Sequence, residues 1–155
     1  LHQDESLFLS KLYRKEAVRA LVEADVLTIC SGGGGIPVVA EDGQYVGVEA
    51  VNDKDFSARV LAENVDADRL IILTGVDNIY INYNQPDQKA LEQISVAEAE
   101  EYIKEGHFAA GSMLPKIEAA LDFVKGDDKR KAIITSIENL ENIDKEAGTV
   151  ISQKG

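Results

Sequence analysis

Two lysines stand near expected helix starts, where a positive charge is out of place. In "NDKDFSA", Asp53, Lys54 and Asp55 open an amphipathic run. In "GSMLPKIEAA", Gly111, Ser112 and Met113 lead into a second helix, with Lys116 in its first turn. The N-terminal end of a helix is the positive end of its dipole, so it favours carboxylates and disfavours ammonium groups unless an anion shares the site. Each lysine also has a plain reading. Asp53 and Asp55 are ordinary capping residues, and Lys116 can solvate a surface beside Glu118 or Asp122. Two such placements together suggest a phosphate-like anion served by both helix starts, with their N–H groups helping to hold it and Asp55 orienting Lys54 or a metal ion. A third feature is "CSGGGGIPVV", Cys30 to Val39, with glycine at Gly32, Gly33, Gly34 and Gly35. Its spacing matches neither G-x-G-x-x-G nor the Walker pattern. It is either a close backbone approach to a ligand or a flexible crossing between strands.

Other reactive side chains point to less. His107, in "GHFAAGS", has no second histidine or cysteine spaced for a zinc site. His2 lies in the terminal stretch. Cys30 reads as a structural thiol. Ser31 and Ser112 lack the partners of a nucleophilic triad. Tyr80, Tyr83 and Phe108 suit either base stacking or a core.

The elements that must position these residues can be read along the chain. Val18, Leu21 and Val22 give helical spacing over Tyr13–Ala24. "DVLTICS" reads as a buried strand, and "IPVVAEDGQYVGVEA" as a hairpin turning at Asp42-Gly43. A helix follows over "DKDFSARVLAENV", with Phe56, Val60 and Leu61 on one face. "RLIILTGVD" has the unbroken apolar character of a parallel strand covered on both faces, and "INYNQPDQKA" reads as a polar loop. Ser95 and Glu98 form a capping box for the next helix, which closes at Gly106. Pro115 suits the first turn of the helix after that. "KAIITS" and "GTVIS" read as strands flanking a short helix. This alternation predicts an α/β fold, a three-layer αβα sandwich with a mainly parallel sheet. Ligands of such sheets sit beyond the strand C-termini, at Gly32–Gly35, Gly75–Asp77 and Thr135–Ser136.

The chain has 155 residues, enough for one domain with a substantial core. Its net charge of −12 speaks against nucleic acid or an anionic membrane as a general partner. A single cysteine excludes an internal disulfide and suits a reducing, cytoplasmic setting. No window reaches the length of an apolar membrane span. The start "LHQDESLFLSKL" does not read as a signal peptide.

Taken together, "CSGGGGIPVV", "GVEAVNDKD", "LIILTGVDNIYINYNQPDQKAL", "KEGHFAAGSMLPKIEAALDFV" and "KAIITSIENL" resemble the carbamate kinases of the amino-acid kinase family, over about Val18 to Ile151. The resemblance implies phosphoryl transfer between carbamoyl phosphate and ADP, giving ATP and carbamate, the closing step of arginine fermentation. It implies a cytoplasmic homodimer that uses ATP/ADP with Mg²⁺. It matches Lys54 and Lys116 to the catalytic lysines and Asp55 to the organising aspartate. Gly32, Gly33, Gly34 and Gly35 fall on the phosphoryl side. Thr74, Gly75, Val76, Asp77, Tyr80, His107, Phe108, Gly111, Ser112 and Met113, with Thr135–Ser136, fall on the nucleotide side.

Carbamate kinases also carry an N-terminal half that this sequence lacks. Residues 1–12 therefore read as an atypical head, and residues 13–155 as a single domain corresponding to the nucleotide-binding part, catalytically incomplete alone. Exposed apolar faces and an unpaired strand edge are expected with it. The other readings are a non-catalytic ADP-binding module and a related enzyme such as acetylglutamate kinase.

Overall fold

The computed structural model describes residues 15–32, 35–51 and 53–155. They divide into a unit ending at Val65 and a second unit spanning Asp66–Gly155. The head, residues 1–12, lies outside the described residues.

In the first unit, helix α1 covers Lys15–Glu23, within the predicted span. Strands β1 (Val38–Glu41) and β2 (Gln44–Gly47) form the predicted antiparallel hairpin. Asp42 and Gly43 at its tip have φ of 48° and 78°. Two consecutive positive φ values are what a tight hairpin turn demands, and Asp-Gly supplies them with little strain. Helix α2 covers Lys54–Asn64 and buries Asp55, Ser57, Val60 and Ala62. Phe56 and Leu61, expected on the buried face, are only half-buried. The predicted strand over "DVLTICS" does not form. Leu27 is 96% exposed and Ile29 fully so, and no ladder among the described residues takes up this segment. Intrinsic β preference cannot satisfy backbone groups without a neighbouring strand.

The second unit is built on a four-stranded sheet. Its strands are β3 (Arg69–Thr74), β6 (Gln93–Ser95), β7 (Lys131–Ser136) and β8 (Thr149–Ser152), in the order β3-β7-β8-β6. β3 and β7 are parallel, as are β6 and β8, while β7 and β8 are antiparallel. β7 is the central strand, and Ala132 to Ser136 are all buried. β3 departs from expectation: it lies at the sheet edge, so its burial alternates, and Ile71 and Leu73 remain about 40% and 38% exposed. The segment predicted as a polar loop is a small hairpin of β4 (Ile79–Ile81) and β5 (Lys89–Leu91).

Helices α3 (Val96–Lys104) and α4 (Met113–Lys125) pack against the sheet and each other. The capping box forms as the sequence requires. The Ser95 amide donates to Glu98 Oε2 at 2.8 Å, and the Glu98 amide donates to Ser95 Oγ at 3.2 Å. These Ser95 hydrogen bonds hold the Glu98 carboxyl below the usual carboxylate range. α4 carries the densest part of the core: Ile117, Ala119, Ala120, Phe123 and Val124 are fully buried. A 3₁₀ helix over Glu138–Lys145 joins β7 to β8. No helix among the described residues is long and apolar enough to cross a membrane.

Candidate functional site

In the Asp66–Gly155 unit, topology gathers most of the predicted residues at one end of the sheet. β3 and β7 run parallel with Thr74 opposite Ser136, so both strands finish together. The turn after β3 bends across to β7. Ser136 Oγ donates to Asp77 Oδ1 at 2.5 Å, and Thr135 Oγ1 donates to the Asp77 carbonyl at 3.3 Å. The Asn139 amide donates to Ser136 Oγ at 3.3 Å. Asp77 thus fixes the neighbouring turn to its parallel partner, a role the sequence does not announce. Thr135 and Ser136 are buried polar residues whose hydroxyls are all employed here.

The start of α4 comes to the same end. A short turn leads from Lys125 into β7 at Lys131, so the helix returns antiparallel to the strand. Thirteen helical residues span about 20 Å and six strand residues about the same, which brings the helix N-terminus level with the strand C-terminus. Gln153 Nε2, just past β8, donates to the Val124 carbonyl at 3.1 Å and confirms the opposite end. Gly111, Ser112, Met113 and Lys116 therefore stand on the side of Thr74–Asp77 and Thr135–Ser136.

The electrostatic detail of this helix start differs from expectation. Ser112 makes no side-chain cap. The amides of Ser112, Met113 and Leu114 all donate to the Ala109 carbonyl, at 3.2, 3.1 and 3.1 Å, and Pro115 has no N–H. The amides expected to cradle an anion are therefore engaged internally. His107 Nε2 sits 3.0 Å from Glu105 Oε2, and its ring meets Tyr102 edge-on at 5.8 Å. Phe108 is buried and serves the core. Gly75 and Gly111 are exposed and Val76 half-buried. Tyr80 and Tyr83 pair with ring centroids 5.8 Å apart, and Tyr83 is exposed.

In the unit ending at Val65, Asp53 caps α2, accepting the Asp55 amide at 2.7 Å. Lys54 Nζ lies 3.4 Å from Asp55 Oδ2, and Asp55 is buried while Lys54 is exposed. Asp53 thus caps the helix as the sequence predicts, and the Asp55 carboxylate lies beside the Lys54 ammonium. Gly32 has φ of 149°, and a Cβ there would meet nothing within 4 Å. Gly35 is exposed. Gly33 and Gly34 lie outside the described residues.

Among the described residues no three His, Cys, Asp or Glu side chains converge to hold a metal ion. Mg²⁺ typically takes most of its ligands from phosphate oxygens and water.

The fold is of the α/β class, and the chain belongs to the amino acid kinase family, whose model matches residues 8–136. It is 97% identical over 145 residues to carbamate kinase 2 of Enterococcus faecalis, covering 94% of this chain and 46% of that protein. It is 55% identical over 137 residues to a carbamate kinase of Latilactobacillus sakei, covering 88% and 44%. Among solved structures, a carbamate kinase from Giardia lamblia bound to AMP-PNP superposes with a TM-score of 0.87 at 39% identity, covering 93% of this chain and 50% of that one. The fold is carbamate kinase-like. The chain spans about half the length of the curated relatives it matches.

Proposed function

We propose that residues 13–155 form the nucleotide-binding half of a carbamate kinase, which transfers a phosphoryl group between carbamoyl phosphate and ADP to yield ATP and carbamate. The observation that carries this reading is the meeting of the β3 and β7 ends with the start of α4, in a chain so close in sequence to a carbamate kinase. Thr74 to Asp77, Tyr80, His107, Phe108 and Gly111 to Met113 belong to the nucleotide side, and Gly32 to Gly35 to the phosphoryl side.

Phosphoryl transfer demands little covalent chemistry from a protein. The migrating group spreads negative charge over its equatorial oxygens, and positioned cations stabilise that charge. Lys54 and Lys116 supply the cations. Asp55, buried beside the exposed Lys54, aims that ammonium. Mg²⁺ neutralises nucleotide phosphate charge when bound. The protein acts in the cytoplasm as a homodimer, in the breakdown of arginine.

The test has two parts. ADP titrated into this chain and followed by calorimetry should give a saturable heat, and its absence at millimolar nucleotide defeats the nucleotide reading. In a version extended to the relatives' length, Lys116→Ala should cut ATP formation from carbamoyl phosphate and ADP by at least about a hundredfold, as the loss of a charge-stabilising group does. Unchanged turnover would remove Lys116 from the mechanism.

A further inference from the structure

The first residue of β8 does something unusual for a strand. Thr149 is fully buried, yet its hydroxyl is spent on the β4–β5 hairpin, which is not part of its sheet. Ile79 and Leu91 oppose each other at the open end of that hairpin. Thr149 Oγ1 accepts the Ile79 amide at 2.8 Å and donates to the Leu91 carbonyl. One hydroxyl therefore closes the hairpin base and ties it to the main sheet. The neighbouring contacts extend the tie: Asn78 Nδ2 donates to the Leu91 carbonyl at 3.1 Å, and the Val150 amide donates to the Glu92 carbonyl at 2.8 Å.

Gly148 sets the hydroxyl's position. Its φ is 126°, and a Cβ there would come within 2.6 Å of Thr135 Cβ and 2.7 Å of the Ile134 carbonyl. The chain entering β8 is pressed directly against β7 at the residue whose hydroxyl holds Asp77. The turn after β3, the end of β7 and the hairpin base thus share one buried polar junction. Tyr80 follows Ile79 directly, and Tyr83 pairs with Tyr80.

We propose that Thr149 is a positioning residue: its hydroxyl latches the β4–β5 hairpin, and with it the Tyr80–Tyr83 pair, onto the strand ends that form the nucleotide side. It acts through the hairpin, touches no substrate, and rests on the nucleotide reading given above. A threonine is suited to this because a buried hydroxyl can accept and donate at once, while its methyl group fills apolar space.

The discriminating variants are Thr149→Val, which keeps the shape and removes both hydrogen bonds, and Thr149→Ser, which keeps the hydroxyl. Ile133→Val, in the adjacent strand, serves as a control for general loosening of the core. Amide hydrogen exchange on the whole chain should show Ile79, Tyr80 and Ala90 exchanging about tenfold faster in Thr149→Val, with Ile133 and Ile134 unchanged. ADP affinity, read by calorimetry, should weaken about five- to tenfold in Thr149→Val and recover in Thr149→Ser. Ile133→Val should lower melting temperature without altering ADP affinity.

Hairpin exchange that stays at the wild-type rate in Thr149→Val overturns the latch. A loosened hairpin with unchanged ADP affinity overturns its role in positioning, as does equal loss of affinity in Ile133→Val. If the wild-type chain takes up no ADP while Thr149→Val still frees the hairpin, the nucleotide reading fails and the positioning role with it, though the latch itself stands.

Discussion

Two apolar runs with nearly the same character meet opposite fates. "VLTIC" (26–30) and "AIITS" (132–136) are both rich in β-branched residues. The second becomes β7, with Ile133 and Ile134 fully buried and strands on both sides. The first takes no place in a ladder among the described residues, and its Leu27 and Ile29 side chains are almost wholly exposed. Strand formation is a property of pairs: each run needs a neighbour to accept its N–H groups and donate to its carbonyls. β7 has two such neighbours, and α4 covers it as well. Both the exposure of Leu27 and Ile29 and the edge position of β3 among the described strands depart from the buried strands that the sequence pattern predicts.

The comparison can be broken most directly by truncation in each region. Phe123, fully buried with the Arg130 guanidinium 4.9 Å from its ring centre, should cost about 3–5 kcal/mol when changed to alanine. Ile29→Ser should move stability by no more than about 0.5 kcal/mol. Urea unfolding followed by circular dichroism measures both. Similar losses at the two sites would mean that Ile29 is as firmly integrated as the helix that covers β7.

A smaller effect sharpens the contrast at the β7–β8 junction. Gly148→Ala forces a Cβ against Thr135 at a positive φ and should cost roughly 2–4 kcal/mol. The same change at Gly32, where a Cβ meets open space, carries only the backbone strain, roughly 1–2 kcal/mol. Equal melting shifts for the two variants would show that β8 is not pressed against β7.

The smallest effect concerns the α3 cap. Ser95→Ala should cost about 1 kcal/mol at neutral pH. Because Ser95 lowers the Glu98 carboxyl in the folded chain, that share of stability is present above the ordinary carboxylate value and disappears as pH falls through the lowered one. The gap between wild type and Ser95→Ala should therefore narrow on acidification. A gap that widens in acid would contradict the capping geometry.

Local chemistry made much of this readable. The capping box at Ser95 and Glu98, the Asp42-Gly43 turn, Pro115 in a first turn and the helix starts at Lys54 and Met113 depend on residues a few positions apart, and the structure has each of them. The loops after β3 and β7 likewise follow apolar runs that form strands, whereas no strand forms over residues 25–31 ahead of Gly32. Other features were hidden because their partners are remote. The bond of Ser136 to Asp77 crosses 59 positions and that of Thr149 to Ile79 crosses 70. "GTVIS" offers only a glycine and a threonine ahead of an apolar stretch as a hint. The β4–β5 hairpin was masked by its polar linker, whose turn includes Asn82 and Asn84 at positive φ.

By itself the sequence determined the family, the helix boundaries, the turns and the candidate lysines, because these follow from residue type and short spacing. Tertiary structure alone decided that β7 is central and β3 an edge, and that "VLTIC" stays exposed. It also decided that the α4 amides turn to Ala109 and that Thr149 serves the hairpin. Those outcomes depend on which strands become neighbours and which buried groups then find partners, and no short stretch of chain contains that information.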